Sequence, residues 1–315
     1  MNFQNLEYFL VVADEGNVTR AAEKLHLSQQ ALSVQMKRLE EELGSELFLR
    51  RPAFRLTYAG ECFREEARKM LNLKHQSETM LEDIRGDMRG RLRIGVSYSR
   101  GRAILPIVLP EFTKAYPLVD LSIVEDNPSA FETMLLQGEL DVILNFLPFG
   151  SPMIHELPLF RERIFTVIPK TLLQKAYGDL ADAVAEEFRE TGDLRLLSRM
   201  PFILLRKGEH IRAAADRKFA ADEVVPEIRI ETSNTQTAIT LAAQGMGVAV
   251  VHEIFLKTTA LPETPESGGL YFIPIKGADP DTIGIGFPAE GYIPKATRDF
   301  IELCRNLLKD FTYVG

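Results

Sequence analysis

A segment near the N-terminus carries polar side chains at helical spacing that could hydrogen-bond to nucleic-acid bases. One face of the predicted helix is polar and holds Gln30, Ser33, Val34, Lys37 and Arg38. An amide can bond the adenine edge, lysine and arginine can bond guanine or a phosphate, and an exposed aliphatic group can contact the thymine methyl. The pattern therefore indicates a helix that reads bases in a DNA groove, with an ordinary solvated helix face as the alternative.

The elements around this segment are those needed to hold such a helix in place. Apolar spacing predicts helices over about 4–15, from Val18 to near Leu27, and from Gln29 to about Glu42. Two short extended runs follow at 47–49 and 50–56, around a proline-containing turn, and they resemble a wing. The arginines at the edges of this wing are expected to reach the DNA backbone or a narrow minor groove; they are Arg50, Arg51 and Arg55.

A long helix is predicted next, capped by Thr57 and running from Tyr58 to about Met88 without a proline. Its apolar positions alternate at spacings of four and three, as in the seam of a coiled coil, with a polar middle. The apolar members of this seam are Phe63, Ala67, Met70, Leu81, Ile84 and Met88, and the first five are expected to mediate dimerisation. The favoured interpretation is a dimerisation helix, and packing on its own chain is the alternative. Pairing would fix the distance between two recognition helices, so the DNA target is expected to be a pseudo-palindrome.

The C-terminal part alternates apolar strands with helical patterns, which is typical of an α/β fold with largely parallel sheets. Strands are predicted at 92–97, 119–125, 141–147, 164–169, 202–206, 227–232, 247–252, 270–275 and 283–288. Helices are predicted near 102–115, 129–137, 210–220, 234–244 and 294–310, with a long charged helical insertion at 175–199. The order of these elements indicates two lobes. The last strand and helix return to the first lobe, and two crossing strands form a hinge.

Ligands of open α/β sheets bind beyond the carboxyl ends of the strands, where helices begin. The side chains predicted there in the first lobe are Ser97, Tyr98, Ser99, Arg100, Asn127, Ser129, Asn145 and Phe146. Those in the second lobe are Arg206, Lys207, Thr232, Ser233 and His252. Backbone N–H groups together with Ser, Asn and Arg side chains would suit a small carboxylate or a similar anion. The alternatives are helix capping for Ser97, Ser99 and Asn127, solvation for Arg100 and Lys207, and a structural role for His252.

Composition excludes several classes of protein. The net charge of −8 disfavours a protein that coats nucleic acid non-specifically, because such binding needs a broad excess of Lys and Arg. Cys62 and Cys304 are far apart, so neither a disulfide framework nor a thiolate metal site is indicated. The N-terminus does not resemble a signal peptide, and no apolar run is long enough to span a bilayer. A cytoplasmic location without a membrane partner is therefore expected.

Motifs for catalysis are missing from the sequence. A nucleophile elbow, a P-loop and a dinucleotide fingerprint are not found, and the five histidines are scattered without the spacing of a metal-binding pair. The chain is therefore expected to be no enzyme, to bind no metal and to need no cofactor.

From residue 6 to residue 60 the chain resembles LysR-type transcriptional regulators. The matching segments are Leu6–Phe9, Asn17–Leu25, Leu27–Ser33, Lys37–Gly44, Leu47–Phe48 and Leu56–Gly60. The resemblance implies a phosphate contact by Thr19 and further DNA contacts by Gln29, Gln30, Ser33, Val34, Lys37 or Arg38, and Arg55. The chain has Gln30 where members often have proline and Val34 where many have arginine, so its base preference is expected to differ from the commonest half-site.

The resemblance also implies an architecture. An all-α winged helix-turn-helix at 1–58 is followed by a linker helix at 59–89 and an effector-binding domain at 90–315. That domain is similar to periplasmic solute-binding proteins, with lobe I at 90–162 and 272–315 and lobe II at 163–271. A transport-type solute-binding protein is disfavoured by the N-terminal module.

The sequence thus predicts a DNA-binding transcription regulator whose activity responds to a small effector, anionic in the favoured interpretation, bound between two lobes. The alternative is a DNA-binding regulator whose C-terminal domain serves only ligand-independent oligomerisation. The expected partners are double-stranded DNA, the effector and further copies of the chain in a homodimer or homotetramer. RNA polymerase is a further candidate partner.

Overall fold

The computed structural model describes residues 1–50, 53–85, 89–126, 128–258 and 269–309, without the side chains of 128, 129, 257 and 258. Arg51, predicted to contact DNA, and Asn127, predicted to bind the effector, lie outside these residues, as does the side chain of Ser129. Among the described residues, no helix is long and apolar enough to cross a membrane.

The N-terminal part consists of three helices and a two-stranded wing. The helices are α1 (Phe3–Glu15), α2 (Val18–Lys24) and α3 (Gln29–Leu43), and the wing pairs β1 (Phe48–Leu49) antiparallel with β2 (Arg55–Leu56). Side chains cap all three of these helices, with Asn2 as the cap of α1. For α2 and α3, the Asn17 carboxamide accepts from the first turn of α2, and the Ser28 hydroxyl accepts from the Ala31 amide. Each cap satisfies amides that the helix itself cannot pair. Both helix starts therefore agree with the sequence prediction.

The linker helix α4 (Tyr58–Arg85) starts where the wing ends. The Thr57 hydroxyl accepts a hydrogen bond from the Gly60 amide at 2.9 Å and donates one to the Glu46 carbonyl at 2.7 Å. Thr57 therefore caps α4, as predicted, and also ties the helix to the turn before the wing.

Two five-stranded sheets form the C-terminal part. The first has the order β4-β3-β5-β12-β6 and contains β3 (Arg89–Val96), β4 (Leu118–Glu125), β5 (Val142–Phe146), β6 (Ile154–Glu162) and β12 (Asp281–Pro288). The second has the order β11-β7-β10-β8-β9 and contains β7 (Ile164–Pro169), β8 (Phe202–Leu205), β9 (Ile228–Thr232), β10 (Val248–His252) and β11 (Leu270–Pro274). The chain passes between the sheets at Arg163 and again at 275–280.

Helices accompany both sheets. They are α5 (Tyr98–Ala115), α6 (Pro128–Leu136), α7 (Lys170–Tyr177), α8 (Ala181–Thr191), α9 (His210–Ala221), α10 (Thr235–Ala243), α11 (Ile254–Thr258) and α12 (Lys295–Leu308). The final helix packs on the first lobe, where the Phe300 ring meets Phe112 of α5 edge-on at 5.3 Å. Cys304 is also buried there, and burial raises the pKa of its thiol.

The structure corrects four predictions about these elements. The sheets are mixed rather than largely parallel, since β12 runs antiparallel to β5 and β6, and β7 runs antiparallel to β10 and β11. Strand β6 was not predicted. Strand β11 belongs wholly to the second sheet, so lobe II extends through Pro274 rather than ending at residue 271. The region 175–199 is not one long helix, because Gly178 and Gly192 have positive φ angles and end α7 and α8.

Candidate functional sites

The exposed face of α3 gathers most of the residues predicted to read bases. Leu32, Met36 and Leu39 are buried in the N-terminal core, which fixes the helix by its apolar side. Gln29, Gln30, Val34, Lys37 and Arg38 are exposed on the other side, and Ser33 is half-buried beside them. Thr19 is exposed in the first turn of α2. These side chains could meet base edges and phosphates without any rearrangement of the core.

Both described arginines at the wing are exposed, and one of them forms an ion pair within the protein. Arg50 pairs with the nearly buried Glu40 at 2.6 Å, and the other Glu40 oxygen accepts hydrogen bonds from the Leu47 and Phe48 amides. The Arg50 guanidinium thus helps to hold the wing against α3, and its side chain remains 56% exposed, so a DNA contact by Arg50 stays a prediction. Arg55 is exposed, and in the described parts of the chain no ion pair involves it.

The predicted dimerisation seam of α4 is divided in two. Ala67 is fully buried in the N-terminal core, and the Phe63 ring lies 5.0 Å from that of Phe9. These two positions were predicted to face a second chain, but α1 already covers them. The alternative of packing on the same chain is therefore correct for the first turns of α4.

The rest of the seam is exposed and apolar. Met70, Leu81 and Ile84 are accessible as predicted, and Leu73 and Met80 share their face; Leu73 is 65% exposed and Ile84 is 73% exposed. A shallow cavity of about 410 Å³ beside this face is lined by α4 and by Phe3 and Leu6 of α1. Several exposed apolar side chains on one helix face are typical of an interaction surface.

A cleft of about 760 Å³ lies between the two lobes. Eight of the predicted effector-binding residues line it: Ser97, Tyr98, Ser99, Arg100, Asn145, Phe146, Ser233 and His252. Arg206, Lys207 and Thr232 are outside this lining. The acidic residues Asp126, Glu132 and Glu209 also line the cleft, and the sequence prediction missed them.

Arg100 is buried rather than solvated. It is 4% exposed and forms an ion pair with Glu162 at 2.8 Å, and its guanidinium lies 3.8 Å from the centre of the Phe146 ring. The second Glu162 oxygen accepts from the Ile254 amide of lobe II at 3.2 Å. The pair therefore joins the lobes at the bottom of the cleft.

Two buried polar atoms in the cleft have no partner among the described residues: Arg100 Nε and Asn145 Oδ1. Burying a donor or an acceptor without a hydrogen bond costs about 1–3 kcal/mol. One donor and one acceptor beside the cleft therefore remain unsatisfied.

Two helices begin at the cleft without a side-chain cap. Neither Ser97, before α5, nor Glu209, before α9, accepts a hydrogen bond from the first turn that it precedes. Ser97 was considered as a helix cap, and its hydroxyl does not have that role. Uncapped first-turn amides carry partial positive charge and favour anions.

Three residues distant in sequence meet where the lobes join: His210 at the start of α9, His252 at the end of β10, and Asp281 at the start of β12. One Asp281 oxygen lies 2.9 Å from His252 Nε2 and 3.2 Å from His210 Nδ1. Burial by itself would raise the pKa of the Asp281 carboxyl, but hydrogen bonds from both histidines and their charge hold it well below its usual range. The sequence prediction treated the histidines as scattered. No local spacing could have indicated this cluster.

Two family models match separate parts of the chain. The model described as bacterial regulatory helix-turn-helix protein, lysR family, matches residues 3–61. The model described as LysR substrate binding domain matches residues 85–309. The first covers α1 to α3 and the wing, and the second covers both sheets.

Related proteins match over nearly the whole chain. The Hca operon transcriptional activator HcaR of Escherichia coli is 30% identical over 315 residues, covering 99% of this chain and 100% of the relative. A full-length OxyR variant from Pseudomonas aeruginosa is structurally similar, with a TM-score of 0.72, 25% identity, and coverage of 100% of this chain and 98% of that one. Full-length CbnR complexed with its target DNA has a TM-score of 0.64 and 25% identity, covering 97% of this chain and 99% of that one.

Proposed function

Because the chain belongs to the LysR family of bacterial helix-turn-helix transcription regulators, we propose that it binds a pseudo-palindromic operator and adjusts transcription to a small molecule held in the cleft. It acts as a homodimer or homotetramer, in the cytoplasm, with RNA polymerase as a further partner. It is a regulator rather than an enzyme. The exposed polar face of α3, on a helix anchored by its apolar side, carries the proposal.

Each predicted domain has its own function in this proposal, and lobe II is extended to Pro274. Residues 1–58 bind DNA, α4 pairs two copies, and the two lobes bind the effector. Gln29, Gln30, Ser33, Val34 and Lys37 or Arg38 read bases, while Thr19 and Arg55 contact the backbone or the minor groove. Val34 makes an apolar contact with a thymine methyl, since it has no hydrogen-bonding group.

We infer that the effector is a small carboxylate that also carries a hydroxyl or amino donor. The first-turn amides of α5 and α9 favour the carboxylate. Asn145 Oδ1 and the nearby Asp126, Glu132 and Glu209 favour a donor on the same molecule. The ring of Phe146 supplies an apolar contact.

The alternative, a C-terminal domain that serves only oligomerisation, is less well supported. Such a domain has no need for a cleft with an unpaired donor and an unpaired acceptor.

In the favoured mechanism, the effector prefers one arrangement of the lobes. The shift of the lobes towards that arrangement changes the spacing of the DNA-binding domains and the bend of the operator.

The test begins with capture of genomic DNA by the purified full-length chain, followed by fluorescence anisotropy on the enriched site. Arg55→Ala should weaken binding about 5–150-fold and lower the salt dependence, because one cation per half-site is lost. Ser33→Ala should also weaken binding, with little change in the salt dependence.

Arg189→Ala is the control, because Arg189 is exposed in lobe II and paired with Glu186. Failure to enrich any site, or equal affinity for all three variants, would contradict the proposal.

A further inference from the structure

We propose that His210, His252 and Asp281 bind a divalent transition-metal ion of the zinc class at the junction of the two lobes. Two imidazoles and one carboxylate are ligands that such ions accept in proteins. The three potential ligand atoms lie within 4.8 Å of one another.

The distances from Asp281 to each of the two histidines suit a shared ion. Zinc–nitrogen and zinc–oxygen bonds are about 2.0–2.2 Å long, so two ligand atoms on one ion lie roughly 2.9–3.5 Å apart at octahedral or tetrahedral angles. The Asp281 oxygen lies 2.9 Å from His252 Nε2 and 3.2 Å from His210 Nδ1. Rotation of the His210 side chain, which is 44% exposed, would complete the arrangement.

The surroundings hold the ligands and favour a cation. The Phe146 ring stacks on one face of the His210 imidazole with a centroid distance of 3.9 Å. His252 is almost fully buried at the end of β10. Asp126, Glu132 and Glu209 line the same cleft, while Glu162 neutralises its buried arginine, Arg100. The acidic excess would raise the local concentration of a cation.

The ligands come from both lobes. His210 and His252 belong to lobe II, whereas Asp281 begins β12 of the first sheet. An ion bound to all three would therefore link the lobes near the second crossing point. Three protein ligands also leave a coordination position open towards the cleft, as in sites where zinc binds a further small ligand.

The competing interpretation is a histidine–aspartate–histidine cluster held by hydrogen bonds alone. The two interpretations differ in measurable ways, because hydrogen bonds require no ion and give no ligand-field spectrum.

The experiment uses the full-length chain with Cys62→Ser, which removes an exposed thiol that could bind zinc elsewhere. After chelator treatment and removal of the chelator, the protein is titrated with Zn²⁺ by calorimetry. A parallel titration with Co²⁺ is followed by its visible absorption. One ion per chain, Co²⁺ absorption from inner-sphere coordination, and a higher Tm with Zn²⁺ are expected.

His210→Gln and Asp281→Asn are the test variants, and His155→Gln is the control, since His155 is exposed on β6 outside the cleft. Loss of a direct ligand should lower Zn²⁺ affinity by more than the about 10–100-fold that loss of an outer-shell partner causes. His155→Gln should bind Zn²⁺ as the parent does.

Absence of binding, or equal binding by His210→Gln and the parent, would overturn the metal site. His210 is exposed at the first position of α9, so its variant is expected to fold, and circular dichroism verifies this. Operator affinity measured on the same samples separates the two proposals, because the N-terminal domain binds DNA whether or not the cluster binds zinc.

Discussion

At the scale of single residues, the cleft depends on polar groups that are buried and only partly satisfied. Arg100 and Glu162 form a nearly inaccessible ion pair, and both of its members also contact other parts of the cleft. In a buried ion pair each charge compensates the other. Removal of one charge leaves its partner buried without a countercharge, which lowers the free energy of unfolding.

Glu162→Gln should therefore destabilise the C-terminal part by about 3–5 kcal/mol, because Arg100 would remain buried without a countercharge. Chemical unfolding followed by fluorescence or circular dichroism measures the effect. The matched control is Glu186→Gln, which breaks an exposed pair with Arg189 and should change stability by about 0–1 kcal/mol. Equal stabilities of the two variants would show that the buried pair is not needed for stability.

At the scale of elements, the junction between the wing and α4 positions the DNA-binding face relative to the linker helix. The Leu47 carbonyl accepts from the Thr57 amide at 2.9 Å, and Gly60 packs directly against that carbonyl. A Cβ atom on Gly60 would lie 2.1 Å from the Leu47 oxygen and 2.9 Å from a Leu56 methyl. The helix can therefore approach the wing this closely only with glycine at this position.

Gly60→Ala should lower the stability of the N-terminal domain by about 1–3 kcal/mol and weaken operator binding, because the backbone of the wing must shift. Thermal unfolding and anisotropy on one operator measure both effects. Cys62→Ala, an exposed position two residues further along α4, should leave both unchanged. A Gly60→Ala protein as stable as this control would mean that the wing can shift to make room for the added methyl group without a loss of stability.

Helices and strands with a clear spacing of apolar residues were predictable from the sequence. The elements that were missed or wrongly assigned have physical causes. Strand β6 contains Pro158 and several charged residues, and the register of β12 against it shifts between Ile283 and Gly284, so its apolar period is broken. The break between α7 and α8 was signalled by Gly178, but the charged helical pattern on both sides hid it. The spacing of Phe63 and Ala67 is the same whether they pack on a helix of their own chain or on a second chain. Only the folded structure distinguishes these two kinds of packing.

The residues of the candidate sites were also predictable only where local sequence determines their position. Side chains at strand ends, such as Ser97 and Asn145, could be placed in a cleft because α/β topology brings strand ends together. The meeting of His210, His252 and Asp281 depends on two crossings between lobes. The spacing of these three residues in the sequence does not indicate that they meet.

At the scale of the whole molecule, α4 connects the DNA-binding domain with the first lobe. Its Arg68 pairs with Asp14 of α1 at 3.2 Å and with Glu139 near β5 at 3.5 Å. Near its other end, Asp83 accepts hydrogen bonds from the Tyr292 hydroxyl and the Lys295 amide, just before and at the start of α12. A change in the first lobe can therefore reach α4, the helix through which we propose that two copies of the chain pair.

The exposed seam of α4 is the surface on which pairing of two chains should depend. Leu73→Glu places a charge at the middle of its apolar face, where a second copy would bury it, so the dimer should dissociate. Light scattering after gel filtration should show a smaller species, and operator affinity should fall because one chain contacts only one half-site. His75→Glu adds the same charge at an exposed position almost opposite on the helix, and it should leave both the assembly and the affinity unchanged. If Leu73→Glu retained the parent's molecular mass, pairing would have to occur through the C-terminal lobes, and the spacing of the recognition helices would no longer be set by α4.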